Sequence, residues 1–214
     1  TQYGDLNGNG TVETIKEELT NKEGKGMPKI SFESAGIFDG QGFELRNVYV
    51  NSSESAVSVF KNNSSYMDNL TIKSIGITGN INAKNSRNIG VFDDYNTNII
   101  NCYNKANINV ENLQEVTITV GGIVSKIGNN TILNTYNYGD ITVNIGDNTT
   151  AFIGGVAGLF LHGEYIKNVY NSGNLQCING KAKIGGIIGV YSKNYKAALK
   201  NVYNSGNILG NNNN

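Results

Sequence analysis

The sequence predicts an all-β fold: a right-handed parallel β-helix of about six three-sided coils with a short N-terminal capping helix. The first observation is the phrase Asn-x-Tyr-Asn, which recurs every 33 or 34 residues, beginning at Asn101, Asn134, Asn168 and Asn201. The second is a glycine-rich apolar segment before each copy, and the third is a loop of varying length between the two. A fixed period with loops of free length is typical of a solenoid, whose units contact mainly their neighbours.

Each repeat unit divides into three predicted strands. The first is glycine-rich and apolar, as in Gly121-Gly122-Ile123-Val124. The second carries Asn-x-Tyr-Asn, and the third follows a turn at Gly139, Gly173 or Gly206. Three strands per unit predict a three-sided coil whose equal sides stack into parallel sheets, about 4.8 Å apart per coil. Right-handed winding is the hand expected for parallel crossovers.

A column of asparagines predicts the number of coils and one source of their stability. The column runs through residues 47, 69, 101, 134, 168 and 201, which indicates about six coils. Stacked asparagines form ladders, because each side-chain amide can bond to the one above and the one below. The paired glycines are expected to permit close packing of coils and not to bind phosphate, since no Lys-Ser/Thr follows them.

The N-terminal region differs from the repeats and predicts a cap over residues 1–28. Val12, Ile15 and Leu19 fall on one face of a short helix that can cover the open end of a solenoid. The repeat domain is then residues 29–209, and residues 210–214 are an asparagine-rich tail or linker.

The segment before this helix resembles the start of a calcium-binding loop. Asp5, Asn7 and Asn9 have the alternating oxygen ligands of such a loop, but Lys16 stands where a bidentate carboxylate is needed. The alternative is an Asn-Gly turn that only leads into the helix. Calcium is the single cofactor that the sequence suggests.

Composition narrows the range of partners. Lys plus Arg and Asp plus Glu are 17 each, so the net charge is zero, which argues against nucleic acid. No apolar stretch reaches about 18 residues, so no transmembrane segment is predicted. Cys102 and Cys177 fall in different columns of the repeat and are expected to be buried thiols. The start at Thr1 suggests a mature or excised fragment that continues into further domains of a longer chain.

The repeats resemble those of GLUG-motif proteins. The resemblance rests on Gly154-Gly155-Val156-Ala157-Gly158-Leu159 and Gly185-Gly186-Ile187-Ile188-Gly189-Val190, each followed by Asn-Val-Tyr-Asn-Ser-Gly, and covers about residues 35–209. Ser125 departs from the pattern where the last glycine is expected. The resemblance implies a β-helix from bacterial surface or secreted proteins, such as haemagglutinin-like adhesins and the non-catalytic parts of IgA-specific metallopeptidases. It implies no catalytic residues.

The tyrosine column is the candidate binding site, formed by Tyr103, Tyr136, Tyr170 and Tyr203. If these side chains point inward, they are core packing. If they point outward, they form an aromatic strip that can stack on sugar rings. The pattern leaves both open, since the intervening column of Cys102, Thr135, Val169 and Val202 is mostly apolar and can itself be the inward set.

The remaining polar residues do not predict a catalytic site. His162 is the only histidine and lies in a variable loop, and no zinc-ligand spacing is present. Adjacent residues on a strand point to opposite faces, so Asp93 and Asp94 do not converge by themselves and are expected to form a loop; with Asp39 they form no recurring acidic column. The expected function is a non-catalytic extracellular or cell-surface module for adhesion, display or binding of glycans or host and matrix proteins. The alternatives are a polysaccharide-active β-helix enzyme, a ligand-free spacer and a phage tail-fibre module.

Overall fold

A computed structural model describes residues 26–33, 36–63, 70–93, 95–162, 165–192 and 198–210. Within these ranges all regular secondary structure is β-strand, and the strands form a parallel β-solenoid of about five turns. The predicted all-β parallel solenoid is therefore confirmed. The predicted capping helix and the calcium candidates Asp5, Asn7 and Asn9 lie outside the described residues.

The strands fall into an incomplete first turn and five groups of four. The first turn contains β1 (Ile30–Phe32), β2 (Ile37–Asp39) and β3 (Glu44–Ser52). The next two groups are β4 (Ala56–Val57), β5 (Phe60–Asn62), β6 (Leu70–Lys73), β7 (Gly76–Lys84), β8 (Asn88–Gly90), β9 (Thr97–Ile100), β10 (Tyr103–Asn104) and β11 (Asn107–Asn112). Two further groups are β12 (Thr117–Gly121), β13 (Val124–Ile127), β14 (Ile132–Asn137), β15 (Ile141–Ile145), β16 (Thr150–Gly154), β17 (Ala157–Phe160), β18 (Tyr165–Asn171) and β19 (Leu175–Cys177). The last group is β20 (Lys181–Gly185), β21 (Ile188–Tyr191), β22 (Ala198–Asn204) and β23 (Ile208–Leu209).

Equal strands of successive turns stack in parallel columns. One column is β4, β8, β12, β16 and β20, and a second is β13, β17 and β21. The largest sheet contains the other two, one through β6, β9, β14, β18 and β22 and one through β3, β7, β11, β15, β19 and β23. The tyrosine phrase lies at the end of the first of these, so each copy after the first has the preceding copy directly beneath it.

Each turn carries four strands, whereas the sequence analysis predicts three. The difference arises at the paired glycines: the first of each pair, Gly121 or Gly154, ends β12 or β16, and the second, Gly122 or Gly155, lies in the corner before β13 or β17. A Cβ at Gly121 would lie 1.9 Å from the carbonyl oxygen of Val124, and one at Gly122 would lie 2.3 Å from the carbonyl oxygen of Gly155. Only glycine allows such a close approach of backbone. The prediction that these glycines serve close packing is confirmed.

The six coils predicted from the asparagine column are not confirmed. The position beneath Asn101 is taken by Ser74, because Lys73 pairs with Ile100. Asn47 lies instead at a bulge in β3, where its N–H donates to Thr78 Oγ1 at 3.3 Å. Asn69 is outside the described residues. The right-handed winding stays a prediction.

The interior of the solenoid is filled by aliphatic columns. Ile99, Ile132 and Ile166 stack in register, and all three are buried. Such inward residues alternate with outward polar ones along each strand, so one side of every turn faces the core. Burial of each isoleucine contributes on the order of 2 kcal/mol. These columns hold the outer faces in a fixed register.

Two further predictions are tested by the described part of the chain. Cys102 and Cys177 are both free, buried thiols, as predicted, and they lie in different columns. Among the described residues, no helix has the length and apolar character needed to cross a membrane.

Candidate functional site

The first asparagine of each Asn-x-Tyr-Asn copy lies on the outer surface and turns the chain. Asn101, Asn134, Asn168 and Asn201 have positive φ angles of 55°, 48°, 53° and 53°. Asparagine is one of the few non-glycine residues that enters this left-handed region readily. Their side chains form a ladder, in which Asn134 donates to Asn101 at 2.9 Å and Asn168 donates to Asn134 at 2.8 Å. We call these four residues the outer ladder.

The last asparagine of each copy forms a second, buried ladder. Asn104 donates to Asn137 at 2.8 Å, and Asn137 donates to Asn171 at 2.6 Å. Each amide also donates to the carbonyl two residues later, as Asn137 does to Gly139 at 2.9 Å. We call Asn104, Asn137, Asn171 and Asn204 the inner ladder. The predicted asparagine ladders are therefore confirmed, and there are two of them.

The tyrosine column lies between the two ladders and points outward. Cys102, Thr135 and Val169 are the buried inward set, so the neighbouring tyrosines face the opposite side. Tyr103, Tyr136 and Tyr170 are half-buried, and Tyr203 is 58% exposed. The choice left open by the sequence is resolved by this alternation, since successive side chains of a strand point to opposite faces.

The rings of the column stack on one another. The centroids of Tyr136 and Tyr170 lie 4.3 Å apart, and those of Tyr170 and Tyr203 lie 5.1 Å apart with an interplanar angle of 12°. Stacked neighbours cover the ring faces and leave edges and hydroxyl groups toward solvent. The faces between Tyr136, Tyr170 and Tyr203 are therefore covered by neighbouring rings, whereas the outer face of Tyr203 is available as a platform for a sugar ring.

Tyr138 is a fifth member of this surface that the sequence analysis did not include. Its ring meets Tyr103 and Tyr170 edge-on, with centroids 6.4 and 5.5 Å away, and its hydroxyl contacts the hydroxyl of Tyr170. Burial and then the Tyr138 hydroxyl raise the pKa of Tyr170. We call Tyr103, Tyr136, Tyr138, Tyr170 and Tyr203 the tyrosine row.

A charged cluster ends the tyrosine row on its N-terminal side. Tyr103 packs over Gly76 and donates its hydroxyl to Glu44 Oε1 at 2.8 Å. Glu44 also accepts from Arg46 Nε at 2.8 Å, and Lys105 lies 3.8 Å from it. The Arg46 hydrogen bond and then that of Tyr103 lower the pKa of Glu44. No repeated pattern in the sequence predicts the role of Glu44, because this residue belongs to the first turn, in which the tyrosine phrase is absent.

A shallow polar groove crosses another outer face of the solenoid, over β3, β7, β11 and β15. The residues that line its sides include Asn51, Asn82, Asn109, Thr142, Lys84 and Glu111. Asn109 donates to Asn82 at 3.1 Å across neighbouring turns. The groove offers amide and hydroxyl groups at regular spacing. In the sequence these residues look like any solvent-facing positions of a strand.

The other candidate residues are not brought together. Asp39 pairs with Lys73 at 3.2 Å on the surface, and the Gln41 N–H and then Lys73 lower its pKa. Asp93 is fully buried and accepts a hydrogen bond from Thr97. Asp39 lies in β2, whereas Asp93 lies outside the strands and bridges to Val124 of β13, and Asp94 is outside the described residues. His162 follows β17, and no group of three or more potential metal ligands occurs within the described ranges.

The architecture defines a parallel β-solenoid with stacked asparagine and tyrosine columns. A scan against protein-family models found no match, and searches of curated proteins and of solved structures found none either. The resemblance to GLUG-motif repeats therefore stays a prediction.

Proposed function

We propose that the chain is a rigid, non-catalytic surface module of a larger secreted bacterial protein, which serves adhesion or display and contacts host proteins or neutral glycans through the tyrosine row. The observation that carries this proposal is the row itself: four stacked tyrosine positions lie on an outer face between two asparagine ladders, and Tyr138 adds a fifth ring beside them. Tyrosine is enriched at recognition surfaces, because a rigid ring supplies contact area at low entropic cost. An extracellular location and kinship with GLUG-motif repeats belong to the same proposal.

The geometry of the row favours one mode of contact. Since Tyr136, Tyr170 and Tyr203 cover one another's faces, a partner meets ring edges and hydroxyl groups. Hydroxyls at intervals of one turn suit a partner with regularly spaced hydrogen-bonding groups, such as an extended peptide or a neutral glycan. Zero net charge and only two arginines disfavour acidic glycans, which depend on arginine for bidentate binding.

The three alternatives make different demands on the same surface. A polysaccharide-active enzyme needs paired carboxylates at a set separation. Asp39 forms an ion pair with Lys73 and Asp93 is buried, so these two carboxylates do not act as a pair. This arrangement supports the proposal of a non-catalytic module. A ligand-free spacer or a phage tail-fibre module needs only the rigidity that the ladders supply, and the tyrosines would then be packing alone.

The proposal is tested by binding to an array of neutral glycans and host matrix proteins, with and without calcium. The informative variant is the double substitution Tyr138→Phe, Tyr170→Phe, which removes two hydroxyls and keeps the stacked rings. We expect any reproducible binding to weaken about tenfold, as the loss of two hydrogen bonds predicts. The melting temperature should stay close to that of the unsubstituted chain, since both hydroxyls are at the surface.

Tyr165→Phe is the matched control, because Tyr165 is 57% exposed and has no ring contact with the row. Equal losses in the control and the double variant would place the contact elsewhere on the chain. Absence of any binding at high micromolar concentration would favour the spacer.

A further inference from the structure

The two ends of the described solenoid differ in how their strand edges are treated. At the first turn, Gly26 forms an antiparallel bridge with Val50, and the Met27 N–H donates to the Tyr49 carbonyl at 2.6 Å. Met27 also packs against the core. At the last turn, β20, β21, β22 and β23 each have a paired strand on one side only, within the described residues. The last turn is therefore an open edge, which natural proteins usually protect.

The aliphatic columns of the core become exposed at this edge. Leu199 is 47% exposed, although Ile166 directly beneath it is 1% exposed. Ile208 is 45% exposed above a fully buried Leu175. These side chains point along the same inward columns as their buried neighbours, so they are core residues that no further turn covers among the described residues. An apolar surface of this kind marks a site of contact.

The asparagine ladders and the tyrosine stack determine which hydrogen-bonding groups and which ring face the edge of the last turn presents. In the inner ladder each amide donates toward the C-terminal side, as Asn171 does to Asn204 at 2.6 Å, so Asn204 has a donor to offer. In the outer ladder each amide donates toward the N-terminal side, as Asn201 does to Asn168 at 2.9 Å, so Asn201 has an acceptor to offer. The exposed face of Tyr203 continues a stack of aromatic rings.

We infer that the last turn is a docking surface for a parallel strand segment with the pattern Asn-x-Tyr-Asn-x-Gly, that is, one further turn of the same repeat. The first asparagine of that segment donates to Asn201, its tyrosine stacks on Tyr203, and its second asparagine accepts from Asn204. Its glycine lies over Gly206, as Gly206 lies over Gly173, where a Cβ would come within 2.0 Å of a carbonyl oxygen.

A second copy of this chain does not fit the surface as well. In register, its first described turn would place Gly40, Glu44 and Leu45 over the positions of Asn201, Tyr203 and Asn204. None of the three supplies an amide or an aromatic ring. The docking surface is thus selective for the repeat pattern and not for any exposed strand.

The test uses the 214-residue chain and a labelled peptide that copies residues 198–210. The control peptide carries Asn201→Ser, Tyr203→Ser and Asn204→Ser. Fluorescence anisotropy should show that the native pattern binds at least about tenfold more tightly, because the control loses two amide bonds and one ring stack. Hydrogen exchange should slow in β22 and β23 and nowhere else.

The chain variant Tyr203→Ser should weaken binding of the native peptide without loss of fold, since this ring is largely exposed. The chain alone should sediment as a monomer. Equal affinity for both peptides, no binding of either at millimolar concentration, protection at another edge, or a concentration-dependent dimer would each overturn the inference. None of these measurements involves the glycan and protein array, so the outcome is independent of the proposed function.

Discussion

The two asparagines of each Asn-x-Tyr-Asn copy form similar ladders in opposite environments. Asn137 of the inner ladder is fully buried and makes three hydrogen bonds, to Asn104, Asn171 and Gly139. Asn134 of the outer ladder lies at the surface with φ at 48° and bonds to the asparagines of the neighbouring turns. Only two residues thus separate a core polar group from a surface turn.

The difference shows that the same side chain serves two physical purposes. A buried amide is destabilising unless its donors and acceptor are satisfied, so the inner ladder holds the turns in one register. The outer ladder lies at the surface, where hydrogen bonds compete with water and contribute little. Its asparagines are required chiefly for their tolerance of the left-handed backbone.

The largest effect is expected for Ile123→Asp, which places a polar group without hydrogen-bond partners in the core that holds the satisfied amides of the inner ladder. Ile123 is fully buried beside the Gly122 corner that packs against Asn137. Ile123→Asp should lower the free energy of unfolding by about 4 to 5 kcal/mol, because the carboxyl group finds no partners there. Urea denaturation followed by circular dichroism measures the loss.

Ile187→Asp is its matched variant, since Ile187 belongs to the last turn and is only partly buried. Its effect should be smaller than that of Ile123→Asp. Equal effects, or an unchanged melting temperature for Ile123→Asp, would mean that these corners do not face a dry core.

The second prediction compares the contributions of the two ladders to the free energy of unfolding. Asn137→Ala should cost about 3 kcal/mol, because Asn104 and the Gly139 carbonyl lose their partner inside the core. Asn134→Ala should cost about 1 kcal/mol, mainly from an alanine held at positive φ. Chemical denaturation of both variants compares them, and equal losses would contradict the distinct roles of the ladders.

The periodic part of this fold could be predicted from the sequence. Each turn stacks on a near-copy of itself, so self-similarity at 33 or 34 residues indicates parallel strands, and Asn101 and Asn134 indicate a ladder. The number of strands per turn could not be predicted, because the sequence from Gly121 to Val124 has the pattern of one apolar strand, although β12 ends at Gly121 and a corner at Gly122 precedes β13.

The candidate site was predicted only where it repeats. The four tyrosines of the column were identified, but Tyr138 occurs in one copy and Glu44 precedes the first copy. Glu44 reaches Tyr103 because β3 and β10 both pair with β7, at Gly76. Such contacts depend on the register of a single bulged strand, and no local pattern encodes that register.

The smallest effect concerns Cys102, which lies between the two ladders on the core side. Burial raises the pKa of its thiol from the ordinary 9.0 to about 11. The folded state therefore favours the neutral thiol, and this contribution is complete below pH 9 and is lost as the pH rises from 9 toward 11. At pH 11 the loss amounts to about 2 kcal/mol, since one pKa unit corresponds to about 1.4 kcal/mol.

Cys102→Val removes this titration and keeps the packing, because Val169 occupies the same column and is buried. The variant should match the unsubstituted chain within about 1 kcal/mol at pH 7. Its free energy of unfolding, measured by urea denaturation at intervals from pH 7 to 11, should then fall less steeply. Tyrosines that titrate in the same range are present in both chains and cancel in the difference. Parallel profiles would mean that water reaches this thiol, and hence that the strand between the ladders is less tightly packed than the two asparagine ladders imply.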